Sequence, residues 1–475
     1  MEFTVIVKRE CETCQMVVPV LEILRQRHGL TLYCQDDPSF PEALGGARDD
    51  TALEQSWRLG VEAVPTLIRL ENGAEHARIH GWDRAAWRQI TGIGDLGAEL
   101  PAFRPGCGSR SVEPGMPERL ALRYGGLHFA SRVIEVSEDE DPIEVAYDRG
   151  WSDGLPITPP TALRVARMLA GTSRRADEVI GLIPPNLAEC TVEKAAINAV
   201  MAGCRPEYFP VVLAAIEAAL KPEFSMHGLL ATLGFAGPVL VVNGPITTRI
   251  GMNSAGNALG QGNRANSTIG RALQLLIRNV GGGIPQEIDR AVLGNPGKVG
   301  FCFPEDESDP DWTPLNVARG AAPGSNTVTL FHGDGMQGVI AWMSAGPQSL
   351  TKSLAMALAA VTHPKLCHWG GAILVLSPDH YAVYRKAGLG RRADIEGMLW
   401  EALKRPGREL VRGAHGVDEG IDPALAEQMV DKFHPGNLLV VRAGGLGGGM
   451  SGIIGGWAAM RNRSEVQIVS KEIGS

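Results

Sequence analysis

The 475-residue chain has no uninterrupted apolar run near the 18 or so residues of a membrane-spanning helix, and no Lys/Arg-rich run. The first absence argues against a membrane partner. The second, with a formal net charge of −8, argues against nucleic acid. The opening ten residues already carry acidic and basic side chains and no apolar h-region, so the expectation is no secretory signal and a cytoplasmic location. Cysteine is sparse, at 8 residues. That excludes the disulfide framework of a small secreted domain and suits thiols kept reduced. There is no HExxH, no second CxxC and no repeat at a solenoid period.

Glycine is abundant instead, at 59 residues, many in loops rich in Asn, Ser and Arg. Such loops bring backbone close to a ligand. Length suggests two to three domains, and 44% apolar residues allow sizeable cores.

Close to the N-terminus, a short apolar strand at Val5-Ile6-Val7 leads to Cys11-Glu12-Thr13-Cys14 and then an apolar-periodic run from Val17 to Leu24. The pair thus falls at a helix start, where a thiol pKa drops from about 8.5 into roughly the 3.5–7.5 range. Glu10 and Glu12 should oppose this by like-charge repulsion, and Lys8 and Arg9 should favour it. CxxC is also half of a zinc knuckle, but the next cysteine, Cys34, stands alone in a strand-like run. Further along, Val64-Pro65-Thr66 places a proline just before a β-rich stretch.

Together these residues resemble the thioredoxin and glutaredoxin family over about the first 95 residues. The resemblance implies dithiol–disulfide exchange at the CxxC and a cis-proline loop at Pro65 that helps bind substrate. The family's usual Trp before the pair, and Gly-Pro or Pro-Tyr inside it, are replaced by Glu10 and by Glu12-Thr13. A dedicated redox partner protein is therefore favoured over general disulfide reduction. Cys11, the N-terminal thiol at the helix start, is expected to be the more exposed and to react first, with Cys14 resolving.

The organisation expected is α/β: a thioredoxin-like domain over 1–95, a Pro/Gly-rich linker over 96–117 carrying Cys107, and a large mixed α/β domain over 118–475. Cys107 reads either as a plain linker residue or as a tethered thiol that relays the disulfide. In the large domain, strand-like runs appear at 239–242, 328–331, 372–376 and 438–441. Helix-like runs cover 161–169, 192–201, 207–220, 268–280, 349–360, 394–403 and 423–433. Continuous apolar strands alternating with helices suggest a buried sheet, arranged as two subdomains with a cleft.

Cys204, in a joint before a helix N-terminus and beside Arg205, is the redox candidate of this domain. Cys190 lies roughly 20 Å away along one helix at 1.5 Å per residue, too far to pair with it. The run 251–267 holds Asn253, Asn257, Asn263, Arg264 and Asn266, with Arg271 one turn inside the following helix. This polar cradle suits a carboxylate, phosphate or other small polar or anionic substrate. Asp153 and the Gly-rich turn with Gly447 and Gly449 are further binding candidates. The latter fits GxGxxG after a strand, but too little chain follows for a full βαβ unit. His332, Asp334, His363, Cys367 and His368 form an alternative metal set.

The segments 151–160, 201–210, 251–271 and 293–300 resemble an uncharacterised bacterial family found beside small selenoproteins carrying Sec-Gly-Ser-Cys, over roughly residues 120–475. That resemblance implies a redox context and brings no catalytic residues with it. The expectation is a thiol-dependent oxidoreductase whose CxxC domain supplies electrons to a large domain that reduces or reductively cleaves a small polar substrate. A metal-assisted hydrolase or lyase served by a thiol arm, and a partner-binding module of a redox complex, are the other classes. No cofactor beyond the cysteines is called for, a metal is left open, and so is self-association.

Overall fold

The structure is a computed structural model that describes residues 1–457 and 468–474. It is α/β, and the chain divides into two compact units, Met1–His128 and Phe129–Ser475.

In the first unit the strand Glu2–Val7 is buried along almost its whole length, as a central strand covered on both faces must be. It pairs in parallel with Gly29–Cys34, and the chain crosses between them through the helices Glu12–Met16 and Val18–Arg27. On its other side it pairs antiparallel with Thr66–Glu71, which forms a hairpin with Ala74–His80. Asn72 and Gly73, both at positive φ (51° and 79°), make that hairpin turn. The helix Arg84–Thr91 starts on Asp83, which caps the Ala86 N–H, and stops at Gly92 in the left-handed region. Leu21, Leu24, Trp82 and Trp87 fill the core against the sheet.

Residues 96–117 are not a linker. Phe103–Arg104 pairs with Trp82–Asp83, and Cys107–Gly108 pairs antiparallel with Ala63–Val64. A helix over Met116–Tyr124 follows, and the unit closes at His128. The segment has too few apolar residues to look like core, so its strand pairing is invisible to a periodicity reading.

The second unit is built on two four-stranded sheets. One holds Phe301–Pro304, Gly237–Asn243, Thr327–Gly333 and Val469–Glu472; the other holds Met336–Ile340, Met450–Trp457, Gly370–Leu376 and Leu438–Arg442. They share one apolar core, in which Val239, Val241 and Phe331 meet Ile373, Val375, Val441 and Ile454. The strand period of two then turns Ala372, Leu374 and Leu376 to the opposite face, where Leu354, Ile395 and Leu399 of the helices Pro347–Ala359 and Arg392–Leu403 cover them. The first sheet is backed by the helices Phe209–Ala219 and Arg264–Asn279. The layers run helix, sheet, sheet, helix.

All four strand-like runs fall inside observed strands, and six of the seven helix-like runs fall on helices with shifted ends. The seventh, 423–433, holds only the short 3-10 turn Pro423–Leu425 and the strand Met429–Val430. The helix expected from residue 268 begins four residues earlier, because Asn263 caps it by accepting the Asn266 N–H.

Candidate functional site

Three cysteines converge in the first unit. Cys11 is the N-cap of the helix Glu12–Met16, in extended backbone, and its Sγ accepts from the Cys14 N–H at 3.4 Å. The same Sγ lies 3.4 Å from the Val64 carbonyl, the acceptor for its proton when it is a thiol. Val64 precedes Pro65 through a cis peptide bond, and its strand partner in register is Cys107. That register sets Cys107 beside Cys11, near enough for the two sulfurs to act on each other electrostatically.

The electrostatics separate the three thiols. Cys11 is lowered to about 5, first by the hydrogen bond from the Cys14 thiol and, against burial, by the one from Cys107. Cys14 is driven strongly upward by burial and by its place beside the Cys11 thiolate. Cys107 is raised by burial and by its bond to Cys11. The repulsion expected from Glu10 and Glu12 does not prevail. Glu12 pairs with Arg104 and the Cys11 charge is met by local donors instead.

Cys11 is not the exposed thiol, since Cys11 and Cys14 are both at 0% exposure while Cys107 is half-buried. Cys107 packs against the core that holds the pair. Cys34 stands apart, donating to Asp36 at 3.1 Å.

Ultraviolet thiolate absorbance of the reduced protein is expected to disappear in a step centred at about pH 5. That step is absent in Cys11→Ser. Cys14→Ala raises its midpoint, and Cys107→Ala raises it less, in the order of the two hydrogen bonds. A midpoint above pH 8 would contradict this electrostatic picture.

In the second unit, the thiolate expected at Cys204 is not favoured. Its thiol donates to the Thr268 carbonyl at 3.4 Å, and burial pushes it up to about 12 in spite of Arg264 and Arg271. Cys190 is likewise pushed up to about 12 by burial.

The asparagine cradle satisfies its own backbone. Asn266, buried, accepts from Asn253 N and donates to the carbonyls of Asn253 and Ala258. Asn263 donates to Gly251 O, Asn253 to Gly256 O, and Asn257 to Gln261 O. Arg264 donates to the Gly203 carbonyl. Arg271 grips Asp153 with two bonds of 2.8 and 2.7 Å. Asn266→Ala is therefore expected to destabilise the protein by about 1–3 kcal/mol, the cost of stranding buried backbone groups. Urea unfolding checks it, and a loss below about 0.5 kcal/mol would contradict a structural role.

Asp153 borders an open cavity of about 650 Å3, also lined by Gln274, Arg278, Asp289 and Lys298. Gly447, Gly448 and Gly449 point their N–H groups at Asp379 Oδ2, at 2.9, 3.0 and 3.3 Å. The Gly-rich turn therefore already holds an anion from its own chain, and a strand rather than a helix follows it.

The alternative metal set is not assembled. Buried His332 meets the Phe224 carbonyl at 2.6 Å and is lowered to about 4 by burial, and Asp334 is raised to about 6 by burial. His363 Nδ1 accepts from Lys365 N, and His368 stacks on His434 at 4.2 Å. Cys367 is buried with Leu410 and Val430. Among the described residues no group of three or more His, Cys, Asp or Glu is placed to hold a metal ion.

The sequence assigns no role of its own to Val64, Thr13 or Gln35. Thr13 Oγ1 donates to the Pro105 carbonyl at 2.8 Å, and buried Gln35 bonds Ser109 Oγ at 2.6 Å and Arg110 N at 3.0 Å. These groups fasten the Cys107 strand on both sides. No protein-family model, curated protein or solved structure matches the chain. Among the described residues no helix is long and apolar enough to cross a membrane.

Proposed function

We propose that the first unit is a thioredoxin-like thiol–disulfide exchange module and that the chain is a thiol-dependent oxidoreductase. Cys11 and Cys14 cycle between dithiol and disulfide. Electrons from the pair serve reduction or reductive cleavage of a small polar substrate handled by the second unit. The observation that carries the reading is the Cys11 sulfur at a helix N-cap, 3.4 Å from the Cys14 N–H and held near pKa 5. A sulfur in that state is a thiolate at neutral pH, the reactive form and a good leaving group. Cys14, kept protonated beside it, is the partner that closes the disulfide once its proton is drawn off. The cavity beside Asp153, where Gln274, Arg278 and Lys298 stand among apolar residues such as Val292 and Leu293, has room for a small substrate bearing polar groups in the second unit.

The test is a single turnover of fully reduced protein with a small disulfide, followed by alkylation and peptide mapping. The reading expects the lost thiols to map to Cys11 and Cys14. Loss confined to Cys34, Cys190, Cys204, Cys302 or Cys367 would overturn it.

A further inference from the structure

Exchange at a fully covered thiolate needs a route to solvent. Cys11 is at 0% exposure, and the half-buried cysteine beside it is Cys107, strand partner of the Val64 whose carbonyl lies 3.4 Å from Cys11 Sγ. The strand Cys107–Gly108 is docked by design of the backbone rather than by chance contact. It pairs with Ala63–Val64, Ser109 N donates to Glu62 O at 2.9 Å, and Lys8 Nζ donates to Gly108 O at 3.1 Å. Gly106 allows the approach: a Cβ there would sit 2.8 Å from the Val64 carbonyl and 3.3 Å from Gly81.

We propose that Cys107 is a third redox cysteine, forming a disulfide with Cys11 and exchanging it with thiols and disulfides outside the protein. This deepens the reading of Cys11 and Cys14 as a redox pair and rests on it. From the Cys11–Cys14 disulfide, the Cys107 sulfur attacks Cys11 Sγ. The Cys11–Cys107 bond forms, the Cys11–Cys14 bond breaks, and the proton of Cys107 passes to the departing Cys14 sulfur. No net oxidation occurs. The disulfide has moved from two buried sulfurs to one that solvent reaches. An external thiol then attacks Cys107 Sγ, and Cys11 leaves as the thiolate, the better leaving group of the two. In the oxidising direction Cys107 attacks an external disulfide and releases one thiolate. Cys11 then attacks Cys107 Sγ and releases the second.

The experiment is oxidation of full-length Cys14→Ser with oxidised glutathione, then alkylation and peptide mapping, with the wild type in parallel. The expected result is a Cys11–Cys107 disulfide in most C14S chains, lost on adding Cys107→Ser. Glutathione on Cys11 with Cys107 free overturns the inference. A wild type that forms Cys11–Cys14 while C14S forms no Cys11–Cys107 bond overturns it too and leaves the functional reading standing. If the wild type forms neither bond, both fail. A second measurement needs no variant: brief maleimide labelling of reduced wild type. Cys107 should label before Cys11, and the reverse order overturns the inference.

Discussion

Cys11→Ser is expected to cut thiol–disulfide exchange on the order of 10³-fold or more, the scale on which losing a nucleophile outright is felt. Serine keeps the N-cap and the Cys14 N–H bond, so the helix Glu12–Met16 should persist. What it removes is the thiolate, since a hydroxyl neither ionises at neutral pH nor forms a disulfide. Cys14→Ser should instead keep the Cys11 thiol and abolish the Cys11–Cys14 disulfide. The assay is reduction of a small disulfide at saturating dithiol, with circular dichroism to show that C11S is folded. Residual exchange within tenfold of wild type would remove Cys11 from the chemistry.

Arg392→Leu is expected to destabilise the second unit by about 3–5 kcal/mol, the cost of breaking a buried ion pair. Arg392 and Glu305 are buried at 2% and 3% exposure and hydrogen-bonded to each other. Glu305 also accepts from Trp312 Nε1 at 2.9 Å, Leu315 N at 2.6 Å and Asn243 Nδ2 at 2.6 Å. The Arg392 guanidinium lies 4.6 Å from the Trp312 ring centre and donates to the Thr313 carbonyl. Removing the cation leaves a buried carboxylate with neutral donors only. Glu305→Gln added to R392L should recover part of the loss, because the two sites share one network. Urea unfolding measures both. A loss below about 1 kcal/mol for R392L would mean that solvent reaches Glu305 once the arginine is gone.

The neighbourhood of the CxxC was legible because its signals are local. A short apolar strand, a thiol at a helix start and a proline before a strand each follow from neighbouring residues, and all three are observed. The four continuous apolar strands of the second unit were legible for the same reason. Met336–Ile340 and Met450–Trp457 were not, since their glycines dilute the apolar pattern and their pairing is long-range.

The role of residues 96–117 depends on contacts from distant segments. Pro105-Gly106-Cys107-Gly108 reads as a loop until Val64, Thr13 and Gln35 are placed against it. Gly106 is then explained by close backbone approach rather than by flexibility. Burial was the other hidden quantity. Arg205 and a helix start argued for a Cys204 thiolate, and burial outweighs both. The 251–267 run shows how a polar loop misleads: its amides are matched to its own carbonyls, which composition does not reveal.

The most direct test of the account is a redox titration of the full-length protein in mixtures of reduced and oxidised dithiothreitol. Each point is trapped with acid and alkylated, then mapped by peptide mass and assayed for bound metal. The account predicts a fully reversible Cys11–Cys14 disulfide that forms and disappears in one two-electron transition. Cys11 and Cys14 remaining free across the whole range, or held together by stoichiometric zinc, would contradict it.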